Sequence, residues 1–126
     1  MNFFIANSSA DRDYASQLAA EIRATGAQVW RDEDVSNFGA DFADALRNAI
    51  TNSAAVILVL PREGASGGNN AIFEAGAAKA LGKKVFVVAR GAADRELPSS
   101  IADFAIFDAE HKPLQEIVGV LVQNAA

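Results

Sequence analysis

The chain has no cysteine. Disulfides and thiolate metal sites are therefore excluded, and the composition fits a reducing compartment. Its only histidine is His111, near the C-terminal helix, and nothing in the sequence resembles a metal site. Aromatics are few beyond eight Phe, with one Tyr and one Trp, and there are only three prolines. No apolar run approaches the ~20 residues of a membrane span. Met1-Asn2-Phe3-Phe4 lacks the basic start and cleavage site of a signal peptide. Charge of one sign is never concentrated either: the net charge is −5 and no basic patch is visible. General affinity for nucleic acid or for an anionic membrane is not expected. What remains is 126 residues, half of them hydrophobic, which suits a single domain with one core in a soluble, cytoplasmic setting.

The apolar residues alternate between two kinds of pattern. Phe3 to Ala6 is a short apolar run and reads as a first strand. Asn7-Ser8-Ser9-Ala10-Asp11 interrupts it with side chains that bond to nearby backbone and suit a helix start. Tyr14, Ala15, Leu18, Ala19 and Ile22 then recur at helical spacing, and Gly26 stops the helix as a left-handed cap. Ala27 to Trp30 is a second strand, with Trp30 in core or rim packing. Arg31 to Gly39 is a polar loop carrying four charges and Phe38. Phe42, Ala45, Leu46, Ala49 and Ile50 form the next stripe.

Ala55 to Leu60 is continuously apolar and ends at Pro61, as expected for a central parallel strand covered on both faces. A glycine-rich loop, Arg62 to Gly68, leads to a helix opened by Asn69 or Asn70 and ended by Gly82. Val85 to Ala89 is a fourth strand, and Phe104 to Phe107 a short fifth one at an edge. Pro113 suits the first turn of a last helix with Leu114, Ile117, Val118 and Leu121 inward. Strand–helix alternation of this kind predicts an α/β fold, an open parallel sheet with helices on both faces.

In such a sheet ligands bind beyond the carboxyl ends of the strands. The loops there are 7–11, 31–39, 61–70 and 90–97. Topology brings Asn7, Ser8, Ser9, Asp32, Phe38 and Glu74 toward one crevice. Glu74 is an isolated carboxylate near the start of a helix whose other residues are almost all small or apolar. It is either a helix-start charge, favoured by the dipole, or a working group. Gly64-Ala65-Ser66-Gly67-Gly68 lacks the Gly-Lys-Ser/Thr ending of a phosphate loop, and no Gly-x-Gly-x-x-Gly follows the first strand. The first and third strands end in Ala6-Asn7 and Leu60-Pro61, without the aspartates of a response regulator.

Several stretches taken together resemble a known family. Phe4-Ile5-Ala6-Asn7-Ser8-Ser9 followed by Asp11 resembles the opening of TIR domains, and Gly26 to Asp32 resembles their Gly-x-x-Val-Trp-x-Asp. Asn70-Ala71-Ile72-Phe73-Glu74-Ala75-Gly76, with Gly82-Lys83-Lys84-Val85, is similar to the helix that carries the glutamate of bacterial, NAD-cleaving members. The resemblance covers essentially the whole chain, 1–126, as one TIR domain, either alone or as the effector part of a larger protein.

It implies a flavodoxin-like three-layer sandwich with a five-stranded parallel sheet in the order 2-1-3-4-5. It implies cleavage of NAD⁺ at the nicotinamide–ribose bond, by hydrolysis or cyclisation, in bacterial anti-phage defence. Glu74 would be catalytic, and Asn7, Ser8, Ser9, Asp32, Phe38, Gly39, Asn70 and Phe73 would contact substrate. NAD⁺ would be substrate, with no cofactor and no metal. Activity would need self-association through the loop Arg31–Gly39, triggered by a sensor domain or a separate activating chain. Asn7 and Asn70 depart from the pattern, since aromatics usually stand at both positions. Two other functions fit the residues: a TIR adaptor that only binds other TIR domains, and a nucleoside deoxyribosyltransferase-like enzyme.

Overall fold

The computed structural model describes residues 2–7, 11–31, 42–60, 76–90, 105–109 and 112–125, and at 42–46, 105, 106 and 108 it describes the backbone alone. The strands are β1 (Asn2–Ala6), β2 (Gln28–Arg31), β3 (Ala55–Leu60), β4 (Lys84–Ala89) and β5 (Ala105–Asp108). The helices are α1 (Arg12–Arg23) and α2 (Phe42–Thr51), then α3, described over residues 76–80, and α4 (Leu114–Ala125). All pairings are parallel, and the sheet runs β2-β1-β3-β4-β5, the expected order. Among the described residues no helix is long and apolar enough to cross a membrane.

The register explains why one strand is apolar throughout. β3 sits between β1 and β4, and all six of its residues are buried. Its alternate side chains belong to two layers. Ala55, Ile57 and Val59 join Phe3, Ile5, Val29, Phe86 and Val88 in a core closed by Ala15, Leu18, Ala19 and Ile22 of α1 and by Ile117, Val118 and Leu121 of α4. Phe4, Val56, Leu58 and Val87 point away from that cluster and are fully buried as well, as are Ala78 of α3 and, to 1%, Ile50 of α2. A strand whose two faces both lose water must be apolar at every position. At the far side, Phe86 and Phe107 meet with ring centroids 6.0 Å apart and planes tilted by 58°, a favoured aromatic geometry.

Chain reversals follow the local chemistry. Gly26 and Gly82 adopt φ of +95° and +77° at the ends of α1 and α3, the left-handed conformation that favours glycine. Ser53, buried, donates its hydroxyl to the Ala49 carbonyl at 2.7 Å and satisfies an orphan acceptor at the end of α2. Pro113 precedes α4, and its carbonyl accepts the first helical bonds, from Glu116 and Ile117. It therefore stands at the cap rather than inside the first turn. Lys84 opens β4 and donates to the Asn124 carbonyl in the last turn of α4 at 3.1 Å.

Two expectations at β2 are corrected by its edge position. Trp30 is 44% exposed, neither core nor packed rim. Val29 and Arg31 take the buried face toward α1, so the pleat turns Gln28 and Trp30 outward. Arg31, read as the first residue of a polar loop, is the last residue of β2 and is buried. Its guanidinium donates to Ser16 Oγ at 2.8 Å and, more weakly, to the Arg12 carbonyl at 3.4 Å. A cation at the end of an edge strand is thus tied into the first turns of α1.

Candidate functional site

Every strand delivers its chain to the same carboxyl edge, and described polar groups there come from β1, β2, α1 and β4. Asn7 follows the last residue of β1 and is partly exposed. Asp11 lies just before α1 and is 3% exposed. Arg90 follows β4 and continues the alternation of Phe86 and Val88, so it falls on the α1 face of the sheet. Its backbone N–H donates to the Leu60 carbonyl at 3.0 Å, extending the β3–β4 ladder by one bond.

Arg90 and Asp11 meet. Nη1 of Arg90 lies 2.6 Å from Oδ1 of Asp11, a charge-assisted bond between residues 79 apart in sequence. Asp11 holds the N-cap position of α1, where aspartate ordinarily accepts from the helix backbone, yet it makes no side-chain cap bond. The carboxylate reaches across to the end of β4. The guanidinium carbon also stands 5.0 Å from the centre of the Tyr14 ring, within range of a cation–π attraction. Strand end, helix start and first helical turn therefore share one cation.

Burial raises the Tyr14 phenol above its ordinary 10.0, and the nearby Arg90 charge partly offsets the rise. Folding thus favours the neutral phenol. Its contribution to stability is full below pH 10.0 and is lost as pH rises through the higher folded value, because the unfolded chain ionises first. Tyr14 is the only tyrosine, so phenolate absorbance reports it alone. Arg90→Gln is expected to shift that titration further upward; a shift downward would mean that Arg90 does not face the ring.

Of the residues expected to contact substrate, Asn7 is described, and it follows β1 at the carboxyl edge. Ser8, Ser9, Asp32, Phe38, Gly39, Asn70, Phe73 and the expected catalytic Glu74 lie outside the described residues. Glu74 precedes Gly76, the first described residue of α3, by two positions. Among the described residues no cluster of His, Asp or Glu could hold a metal ion. Sequence reasoning missed the Asp11–Arg90–Tyr14 group. A charged residue directly after an apolar strand was visible at Arg90, but its partner is remote in sequence and Asp11 read as a helix cap.

Comparison with known proteins gives one family and one fold. The sequence model described as TIR domain matches residues 3–118. No curated protein matches the chain. Among solved structures, the CMP N-glycosidase of Clostridium botulinum superposes with a TM-score of 0.64 at 17% identity, covering 93% of this chain and 98% of that one. The 2-deoxyribosyltransferase of Bacillus psychrosaccharolyticus gives a TM-score of 0.69 at 16% identity, over 94% and 90% of the two chains. A prokaryotic SEFIR domain gives 0.64 at 16% identity, over 98% and 90%. At these identities the superpositions speak for the fold.

Proposed function

Because the chain belongs to the TIR domain family, we propose that it is an NAD⁺ nucleosidase that cuts the nicotinamide–ribose bond when copies of it associate. The observation that carries this reading is the span of the family match, residues 3–118. It runs through Asn7, Asp32 and Glu74, and the described strands form a sheet of the order 2-1-3-4-5. The bond to nicotinamide breaks with its electron pair passing to the ring nitrogen, which neutralises the pyridinium. The ribose left behind carries developing positive charge. The Glu74 carboxylate stabilises that charge or attacks C1′ directly. In hydrolysis, water adds to C1′ and gives up a proton, yielding ADP-ribose, nicotinamide and H⁺; in cyclisation an acceptor within the nucleotide replaces water.

Ser8, Ser9 and loop N–H groups hold the diphosphate, Asp32 a ribose hydroxyl, and Asn7, Phe38, Gly39, Asn70 and Phe73 line the ring and ribose contacts. The loop following Arg31 joins neighbouring copies, and a sensor domain or separate chain supplies the trigger, in keeping with a role in bacterial anti-phage defence. Two of the structures of like fold are named for an N-glycosidase and a deoxyribosyltransferase, which favours a nucleoside or nucleotide substrate as the second reading.

The test is to cluster the protein on beads or by crowding, supply NAD⁺, CMP or a deoxynucleoside, and measure the free base. Nicotinamide from NAD⁺ supports the proposal. Base released only from CMP or the deoxynucleoside moves the chain to the second reading. No release from any of them leaves a TIR adaptor with a structural Glu74.

A further inference from the structure

The Asp11–Arg90 pair lies outside every role given above. It joins the two connections that leave the carboxyl edge on either side of β3. The chain from β1 to α1 is held at Ala6, whose register partner is Leu58, and at Asp11 by Arg90. Arg90 is held in turn by the Leu60 carbonyl and by the Tyr14 ring. Asn7 directly follows the first of these held points.

If Asp11 served only to start α1, its carboxylate would turn to the helix backbone, and it makes no such bond. If Arg90 were an ordinary solvated end-of-strand charge, it would not sit with its side chain 26% exposed against a carboxylate that is 4% exposed. Separating such charges leaves one of them poorly solvated, so the pair resists opening.

We propose that Asp11 and Arg90 form a positioning brace: their ion pair ties the start of α1 to the end of β4 at the carboxyl edge, and so holds the frame on which the nucleotide is placed for reaction. Neither is a catalytic residue. They act through the backbone they hold. This rests on the NAD⁺ reading, because the site is the one that reading places at the carboxyl edge. A misplacement on the order of 1 Å in such a frame lowers a reaction rate by as much as about a hundredfold without removing any contact to substrate.

The experiment compares wild type, Asp11→Asn, Arg90→Gln, Arg90→Lys and the double variant Asp11→Asn/Arg90→Gln. Each is checked for folding by its thermal transition, then assayed on NAD⁺ under clustered conditions. A brace predicts that each neutralising variant lowers kcat by about ten- to a hundredfold, with KM moved by less than about threefold. The double variant should fall no further than the singles, and Arg90→Lys should recover part of the loss. Unchanged kcat in folded Asp11→Asn and Arg90→Gln would overturn the proposal in favour of a purely structural pair. A rise in KM with Arg90→Gln alone would overturn it in favour of a direct substrate contact.

Backbone hydrogen exchange separates failure of the brace from failure of the NAD⁺ reading. Exchange at residues 7–12 should rise by at least about tenfold in Asp11→Asn while the β3 amides stay protected. An unchanged exchange rate there would overturn the brace whatever the substrate proves to be. Inactive wild type with the expected exchange would keep the brace and reject NAD⁺.

Discussion

Glu74→Gln is expected to lower nicotinamide release by about 10²–10³-fold, with KM for NAD⁺ little changed. Glutamine keeps the size and much of the hydrogen bonding of the carboxylate and removes its charge. The charge matters where cationic character grows, and that is on the ribose as nicotinamide leaves. A loss confined to kcat is the signature of an interaction made in the transition state. The alternative predicts another result. A glutamate retained only for the helix dipole contributes about 0.3–1 kcal/mol to stability and nothing to the reaction. Near wild-type release by Glu74→Gln, with a slightly lower unfolding midpoint, would therefore return Glu74 to that structural role. Release and unfolding have to be measured on the same preparation, since only their combination separates the two.

Ile57→Ala and Leu58→Ala are expected to be the most damaging single changes to the fold, at about 2–5 kcal/mol each. Both residues are fully buried in the central strand. Ile57 belongs to the core beneath α1 and α4, and Leu58 faces the opposite layer. A domain of this size has about 5–15 kcal/mol in total, so either change removes a large share. Urea unfolding should show a lower midpoint at unchanged slope. The pair is diagnostic. Were the sheet covered on one face only, Leu58→Ala would cost no more than a surface substitution, within about 0.5 kcal/mol.

Much of the architecture was legible in residue order. The unbroken Ala55–Leu60 run identified a strand with two covered faces. Helical spacing picked out Ala15, Leu18, Ala19 and Ile22, all buried in α1, and Gly26 and Gly82 marked the ends of two helices. These features are local: periodicity follows from the geometry of one element, and a glycine stop from one backbone angle. The family resemblance across the chain agrees with the match over residues 3–118.

The errors lay at positions where neighbours distant in sequence decide. Trp30 reads as core by residue type, but β2 is an edge strand and its outward face keeps the ring in contact with water. Arg31 reads as loop by charge, yet Ser16 and the Arg12 carbonyl give its guanidinium partners and let it close a strand.

By itself the sequence determined the alternation of strands and helices, the apolar centre at β3 and membership of the TIR domain family over residues 3–118. Only the tertiary structure decided what Asp11 and Arg90 do. A helix cap is satisfied within three residues of chain, so sequence can propose it. An ion pair between residues 79 apart exists only after the sheet has set β1 and β4 on either side of β3, and burial then makes the charged partner a stronger claim on the carboxylate than the helix backbone.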